Sequence, residues 1–285
     1  MINRQLYSDE TGNAIWYSAV REWQGAIHFK GVAAKYVISG AELYEVNGRG
    51  IRVNGNQYVL GNDNSRADVI IQSPQEVHGI CVDISEALVR EVAEAKGVSS
   101  DFIHYLCEEQ LLVNRYNDRN NTLGRILQSL ATSIHQMDSS DFTPDNFFAM
   151  AEAVVEDQSV IFGMHEKLLF KRQLTKQDVI RSLIDAKEFI DTQFHQPLNI
   201  DQIASKAGIS RYHFSRLYKD VFGLSPYSYY NQQRLLAACE MLRLEGNISD
   251  VAAELGFADL PTFSKAFTKR FGMGPSEFRK ARFDK

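Results

Sequence analysis

The sequence predicts an α+β protein of two domains: an N-terminal β-barrel with appended helices, then an all-α domain carrying two helix-turn-helix motifs. Three observations predict this. Residues 14–83 form a series of short Val-, Ile- and Tyr-rich runs punctuated by glycine, the pattern of strands joined by tight turns in a barrel or sandwich. Residues 198–279 state one pattern twice at a fixed offset, as a duplicated supersecondary unit does. The charge divides along the same line: residues 175–285 hold 16 Lys+Arg against 13 Asp+Glu, net +3, whereas residues 1–174 hold 15 against 23, net −8. A length of 285 residues suits two domains. The link is read at Phe170–Thr175, which divides the chain into domains 1–172 and 173–285.

The opening MINRQLYSDETGN is polar and has no signal-peptide core. The strand runs follow. KYVIS stops at Gly40, ELYEV at Asn47-Gly48, GIRV at Asn54-Gly55 and QYVL at Gly61-Asn62, and VIIQSP and GICVDI add two more. Asn-Gly is a hairpin signal, since both residues tolerate the positive φ of a type I′ turn. Tyr36 and Tyr44 fall at inward positions, and with His78 they are the candidate ligand-binding residues of the barrel mouth. A mouth lined by apolar and aromatic groups with a few polar ones suits a small organic ligand. The same rings also serve as plain core filling, and both readings stand.

From Ser85 the periodicity turns helical: SEALVREVAEAK, then about Ser100–Leu112, Thr122–Met137 and Pro144–Phe170. Leu123, Ile126, Leu127, Leu130, Ile134 and Met137 make one apolar stripe. Thr175 with Asp178 approximates a capping box for a helix from about Lys176 to Phe194, and Pro197 ends it.

In the duplicated stretch, Gly208 is followed by Phe214, Tyr218, Phe222-Gly223, Ser225-Pro226 and Tyr229. Gly256 is followed by Phe263, Phe267, Phe271-Gly272, Gly274-Pro275 and Phe278. From the phenylalanines onward each pair is 49 residues apart. In the first copy Asn199 is the N-cap of a short helix with Ile200, Ile203, Ala204 and Ala207 on one face, and Gly208 is its C′ residue. Ser210 caps a second helix running to about Phe222. Phe214, Leu217 and Tyr218 face inward, and Arg211, Tyr212, Ser215, Arg216 and Lys219 outward. The second copy gives Val251, Ala252, Leu255 and Gly256, then a helix from Leu260 to Phe271 with Thr262, Lys265 and Lys269 outward. Between the copies Ser225-Pro226 opens a connecting helix to about Leu244, with Leu235, Leu236, Cys239 and Leu242 inward and a stop near Gly246. Its length of ~28 Å is close to the ~34 Å between successive major grooves on one DNA face. A short helix, a glycine turn and a second helix with a basic outer face is an arrangement that reads double-stranded DNA. A plain helical repeat packed on protein shares the outline, but matched basic outer positions in both copies favour DNA.

The stretches LNIDQIASKAGISRYHFSRLYKDVFGLSPYSYY and ISDVAAELGFADLPTFSKAFTKRFGMGPSEFR resemble the AraC/XylS family of transcription regulators. The most specific part is GFADLPTFSKAFTKRFGMGPSEFR. The resemblance implies tandem motifs, about 198–223 and 247–272, joined by the connecting helix. It also implies a cupin-like effector domain, to whose barrel the N-terminal strands are similar, followed by helices through which such proteins often dimerise. The implied protein is a sequence-specific regulator controlled by a small organic effector. It would be a homodimer on a promoter site with two successive major-groove contacts, with RNA polymerase as a further partner. The Thr122–Met137 stripe then serves a dimer, or else packs on its own barrel. The chain departs from the family at Leu260 and Pro261, where polar residues are common. The first recognition helix is therefore expected to discriminate sequence more than the second.

Other classes leave weaker traces. A metal-dependent cupin enzyme needs several imidazoles and a carboxylate on one ion, usually as HxH followed by Glu; this sequence has no HxH, and His28 and His78 are isolated. His104, His135 and His165 have no partners at ligand spacing. A DNA-repair alkyltransferase needs an activated cysteine, and Cys81, Cys107 and Cys239 lack such neighbours. These cysteines form no CxxC and fit a reduced compartment. No catalytic residue, metal or cofactor is expected. No apolar run approaches the ~18 residues of a membrane span, and the reading is of a cytoplasmic protein. A regulator that answers to no ligand stays open.

Overall fold

The computed structural model describes residues 2–280 apart from 47, 110, 112, 113, 120, 169–172, 196–198, 207, 208 and 245. The chain divides into two compact units, Met1–Gly163 and Met164–Lys285.

The first unit is built on one antiparallel sheet. Its strands are β1 Ile2–Ser8, β2 Ala14–His28, β3 Val32–Ser39, β4 Ala41–Val46, β5 Arg49–Asn54, β6 Gln57–Asn62, β7 Arg66–Ile84 and β8 Arg115–Asn117. The path is β1-β2-β7-β3-β6-β8, and β4 pairs with both β5 and β7. The spine is the pairing of β2 with β7 from Ala14–Asp83 to His28–Arg66, with a bulge between Val20 and Glu22. The runs VIIQSP and GICVDI, expected as separate strands, are parts of the single strand β7. The end of β7 pairs with β3 and its beginning with β4. Bulges bend a strand and raise its twist, so this long strand can serve two neighbours in turn.

Several turn expectations change. Asn54-Gly55 joins β5 to β6, but those strands do not pair with each other. Instead the Gly55 N–H donates to the Gly40 carbonyl and the Asn56 N–H to that of Val37, and the positive φ of 67° sits at Asn56. Gly61-Asn62 is not a turn but the end of β6. A Cβ on Gly61 would lie 2.7 Å from the Phe29 ring, so the missing side chain serves close packing. Asn62 Nδ2 donates to the carbonyls of Leu106 and Glu109, at 3.0 and 2.7 Å. Asn47 lies outside the described residues. The polar strand β1 and the three-residue β8 carry too little apolar pattern to be read in advance.

Alternation along the strands gives two cores. One face, with Tyr17, Tyr36, Ile80 and Val82, packs on helices. These are α1 Glu86–Ala95, α2 Ser100–Cys107, α3 Thr122–Ser133 and α4 Pro144–Lys167. The side chains of Ser85, Ser99 and Asn121 cap the first three by accepting from the N–H groups of Leu88, Phe102 and Gly124. The stripe of α3 goes into this core: Leu123, Leu127, Leu130 and Ile134 are buried there, and Ile126 and Met137 pack against it. The other face gathers Val20, Phe29, Ala33, Val37, Tyr44, Val59, Val69 and Ile71.

The second unit is helical: α5 Gln173–Gln193, α6 Ile200–Lys206, α7 Arg211–Phe222, α8 Pro226–Arg243, α9 Ile248–Glu254, α10 Leu260–Phe271 and α11 Pro275–Lys280. Phe170 of the link, the Thr175–Asp178 side-chain pairing, Pro197, Ala207 and Gly208 lie outside the described residues. In α8 the inward line is Leu235, Ala238, Cys239 and Leu242. Leu236, expected inward, is 42% exposed, because one residue turns a helix by about 100° and carries it off the i, i+3, i+4, i+7 face. Among the described residues no helix is long and apolar enough to cross a membrane.

Leu127 is wholly buried, so Leu127→Glu places an unpaired charge in the first core. Urea unfolding should show a loss of ~3 kcal/mol or more. A variant of unchanged stability that only altered its oligomeric state would contradict this placement.

Candidate nucleic-acid interface and cavity

Both recognition helices are fixed in the same way at both ends. The Ser210 hydroxyl accepts from the His213 N–H at the start of α7, and Gly223, at φ 78°, donates its N–H to the Lys219 carbonyl at its end. Asp259 accepts from the Thr262 N–H at 2.7 Å at the start of α10, and Gly272, at φ 77°, donates to the Thr268 carbonyl. Only glycine takes such φ values without steric penalty. Hydrogen bonds from the Thr262 side chain and N–H hold the Asp259 carboxyl below its ordinary pKa.

Aromatic packing repeats as well. Phe214, Tyr218 and Phe222 pack in series as tilted rings with centroid distances of 5.7 and 4.5 Å, and Phe263, Phe267 and Phe271 do so at 5.6 and 4.6 Å. Tyr218 meets Tyr229 at 6.3 Å as Phe267 meets Phe278 at 5.4 Å. With these rings inward, the opposite sides of the helices face out. Arg211, Tyr212, Arg216 and Lys219 are exposed on α7, and Ser215 is half-buried. Tyr212 is 81% exposed, which a lone folded chain does nothing to require. On α10 Thr262, Lys265 and Lys269 are exposed, as are Leu260 and Pro261. His213, Thr268 and Arg270 are also exposed on these helices and were missed in the sequence. Their heptad neighbours were legible, and a full helical projection would have included them.

The α7 arginines have acidic neighbours: Arg211 is 3.2 Å from Asp201, and Arg216 is 3.8 Å from Asp220. Both pairs are well exposed, so they are weak and yield to a stronger anion. Lys265 and Lys269 have no acidic partner among the described residues.

The connecting helix α8 is tied at two levels. The Tyr229 hydroxyl donates to Asp191 Oδ1 at 2.6 Å, and Lys187 Nζ contacts Asp191 Oδ2 at 2.9 Å, both on α5. One turn on, the buried Arg234 donates from Nε to the Leu255 carbonyl at 2.6 Å, and its guanidinium lies 3.6 Å from the Phe257 ring centroid. Burial lowers the Arg234 pKa.

The second face of the sheet in the first unit lines an open cavity of about 300 Å³. Tyr36 and Tyr44 are among its lining residues, but His78 is not. The Tyr36 hydroxyl donates to Asp118 Oδ2 at 3.0 Å, in the helix-side core, and His78 Nδ1 is 2.6 Å from the Tyr17 hydroxyl. The sequence reading missed Trp16, Trp23, Lys35, Glu42, Cys81 and Asp83, all of which line the cavity. Lys35 within VAAKYV and Asp83 within CVDI were the available signal, as charged residues at inward strand positions.

Lys35 and Cys81 are paired across β3 and β7. Lys35 Nζ is 3.1 Å from Cys81 Sγ, which is 3.2 Å from Asp83 Oδ1. The Tyr44 hydroxyl donates to Glu42 Oε2 at 2.5 Å. Burial works against the Lys35 charge, but Cys81, Asp83 and Glu42 outweigh it and raise the ammonium pKa. Burial pushes the Cys81 thiol up to about 11 against the pull of Lys35. Burial also raises the Glu42 carboxyl despite Tyr44 and Lys35. Among the described residues no group of three or more His, Cys, Asp or Glu could hold a metal ion.

Residues 203–281 match the family of helix-turn-helix domains. Regulatory protein SoxS of Salmonella typhimurium is 38% identical over 107 residues, which is 37% of this chain and 97% of that protein. The chain belongs to the AraC/XylS family of transcription regulators. It is a DNA-binding regulator of a non-enzymatic family. Right origin-binding protein of Escherichia coli, another relative, is 35% identical over 104 residues, which is 36% of this chain and 35% of that protein. Among solved structures, an AraC-type transcriptional regulator from Chromobacterium violaceum is 31% identical, covers 35% of this chain and 91% of its own, and gives a TM-score of 0.34. The AraC-type motif of the family maps onto α6 to α11.

In this AraC-family regulator the folded state raises the Glu42 pKa, so above the ordinary carboxylate range it binds more protons than the unfolded state. Stability is then lost through this group as pH rises. Glu42→Gln should therefore gain on the wild type as pH rises above 4.5 in urea unfolding. A difference independent of pH would show that the carboxyl is not strained by burial.

Proposed function

We propose that the protein reads a promoter site through two successive major grooves, with α7 specifying sequence and α10 anchoring. The observation that carries this is the pair of 12-residue helices, each capped by a side chain at its start and a glycine at its end and with exposed basic faces, joined by the 18-residue α8. At ~1.5 Å per residue α8 spans ~27 Å, close to the ~34 Å groove repeat. Arg216 and Arg211 are suited to guanine, through paired bonds to O6 and N7, and Ser215 and Tyr212 extend the reading face. In α10 Thr262 and Lys265 are left to reach bases, because Leu260 and Pro261 carry no side-chain donors or acceptors. Lys219 and Lys269 suit phosphates, which position without specifying.

The N-terminal part, residues 1–172, is proposed as the sensor: a cupin-like β-structure whose cavity takes a small organic effector. Tyr44, with the newly recognised Trp16, Trp23 and Lys35, supports this more directly than His78. Tyr36 contributes to the wall, although its hydroxyl is engaged elsewhere. Residues 173–285 are proposed as the DNA-binding part. A homodimer would have to use a surface other than the α3 stripe, which the first core occupies. The exposed Val160 of α4 offers one. A cytoplasmic setting and contact with RNA polymerase complete the proposal.

Arg216→Ala should weaken the preferred site by ~1–3 kcal/mol and relax base preference at one position. Lys269→Ala should weaken all sequences about equally and flatten the salt dependence by about one unit of slope. Selection from random DNA followed by salt titration of both variants is the check. A sharper selected motif in the second groove than in the first would reverse the division of labour.

The chain's two tryptophans, Trp16 and Trp23, both line the cavity, so indole emission reports its occupancy. Fractionated metabolite extract should contain a component that changes this emission and alters DNA affinity in the full-length protein. Emission indifferent to every fraction would favour the regulator without a ligand.

A further inference from the structure

The cavity has an uncommon charge arrangement for a site of its size. Its walls are largely apolar, with Trp16, Trp23, Val69 and Ile71 among them. Of its charged lining residues Lys30 is exposed, and the others come from two parts of the sheet. Lys35 and Asp83 stand on the paired strands β3 and β7, and Glu42 stands on β4, which pairs with the other end of β7. None of the three is saturated among the described residues. The Lys35 ammonium has three donors, and its one hydrogen bond goes to the Cys81 sulfur, a weak acceptor. Asp83 accepts only from that thiol, and Glu42 accepts only from the Tyr44 hydroxyl. Asp83 is buried and Lys35 and Glu42 are half-buried, and charged groups withdrawn from water with unfilled capacity are costly unless something completes them.

We propose that this cavity takes a small zwitterion with an apolar body, an amino-acid-like molecule, with its carboxylate on Lys35 and its ammonium on Glu42 and Asp83. The proposal rests on the cavity being the effector site. The alternatives each leave a mismatch. A ligand bearing only a carboxylate meets Lys35 and Lys30 but also faces the buried Asp83 and the half-buried Glu42, both of like sign. A ligand bearing only an amine meets those carboxylates but faces the ammonium. A neutral polyol could hydrogen-bond the polar groups, but it brings no counter-charge to the lysine or the carboxylates and no apolar body to Val69 and Ile71. A zwitterion leaves the net charge of the site unchanged and puts its side chain against the tryptophans. A volume of about 300 Å³ is at the small end of ligand pockets, which fits a single amino acid.

The test uses the full-length protein and tryptophan emission excited at a wavelength the ligands do not absorb. L-leucine, L-methionine and L-phenylalanine are titrated, each beside the amine lacking its carboxylate and the acid lacking its ammonium. The expected result is a saturable change with at least one amino acid, and a requirement for about tenfold or more of its matched amine and acid. Glu42→Gln and Asp83→Asn should weaken the amino acid while leaving the acid unchanged or tighter, and Lys35→Met should weaken both. Circular dichroism and urea unfolding establish that each variant is folded. If Lys35→Met is not, the two isosteric carboxylate variants carry the comparison. An acid or amine that binds as tightly as its amino acid overturns the proposal. So does a response confined to neutral compounds such as pentoses, yet either result leaves the cavity an effector site. Silence towards every compound, and towards metabolite extract as well, overturns both readings.

Discussion

The helical unit depends on burying one face of each short helix under aromatic rings. Phe214, Tyr218, Phe263 and Phe267 have no exposed surface, and each supplies the packing that a helix of 12 residues lacks alone. Isolated helices of that length are marginal in water. Once the rings are buried, the azimuth of each helix is fixed, and the residues at the intervening positions have no choice but to face out. The basic, hydroxyl and tyrosyl groups of α7 owe their presentation to this. So do the bare Leu260 and Pro261 at the start of α10, where proline's missing N–H is harmless but its lack of chemistry is not.

A different constraint governs the first unit. A strand shows its side chains to two faces in turn, and the long β2–β7 ladder therefore feeds two cores at once. The face with Tyr17, Tyr36 and Val82 is closed by helices. The face with Lys35, Asp83 and Tyr44 carries the second core and leaves a space that its own side chains do not fill. A one-residue slip in β3 would exchange Lys35 with Tyr36 and move the ammonium into the helix-side core.

Much of the second unit was legible. Helices α7 and α10 were bounded correctly at Arg211–Phe222 and Leu260–Phe271, with Ser210 read as the cap of the first, because such caps are local chemistry that tertiary packing seldom overrides. Leu236 was misplaced where an apolar residue lies one step off the stripe. The first unit was less legible. Glycines were read as turns when Gly61 in fact makes room for Phe29, and Asn54-Gly55 was read as a hairpin when its backbone bonds to β3 and Gly40. Such uses depend on partners distant in sequence. The cavity was inferred from Tyr36 and Tyr44, but its charged members were not. Lys35 and Asp83 sit within apolar runs, where polarity is easily taken for an edge or a turn.

The clamps on α8 have a further consequence. Tyr229 fastens the helix to α5 and Arg234 fastens it to Leu255, so the segment between behaves as a gauge rather than a tether. A helix cannot stretch by a fraction of a residue. Adding or removing one residue between those anchors would rotate the second motif by about 100° and shift it by ~1.5 Å. The phase between α7 and α10 is therefore set in whole-residue steps by the polypeptide, and under the proposed two-groove reading an operator whose half-contacts drift by a base pair must itself twist to meet them.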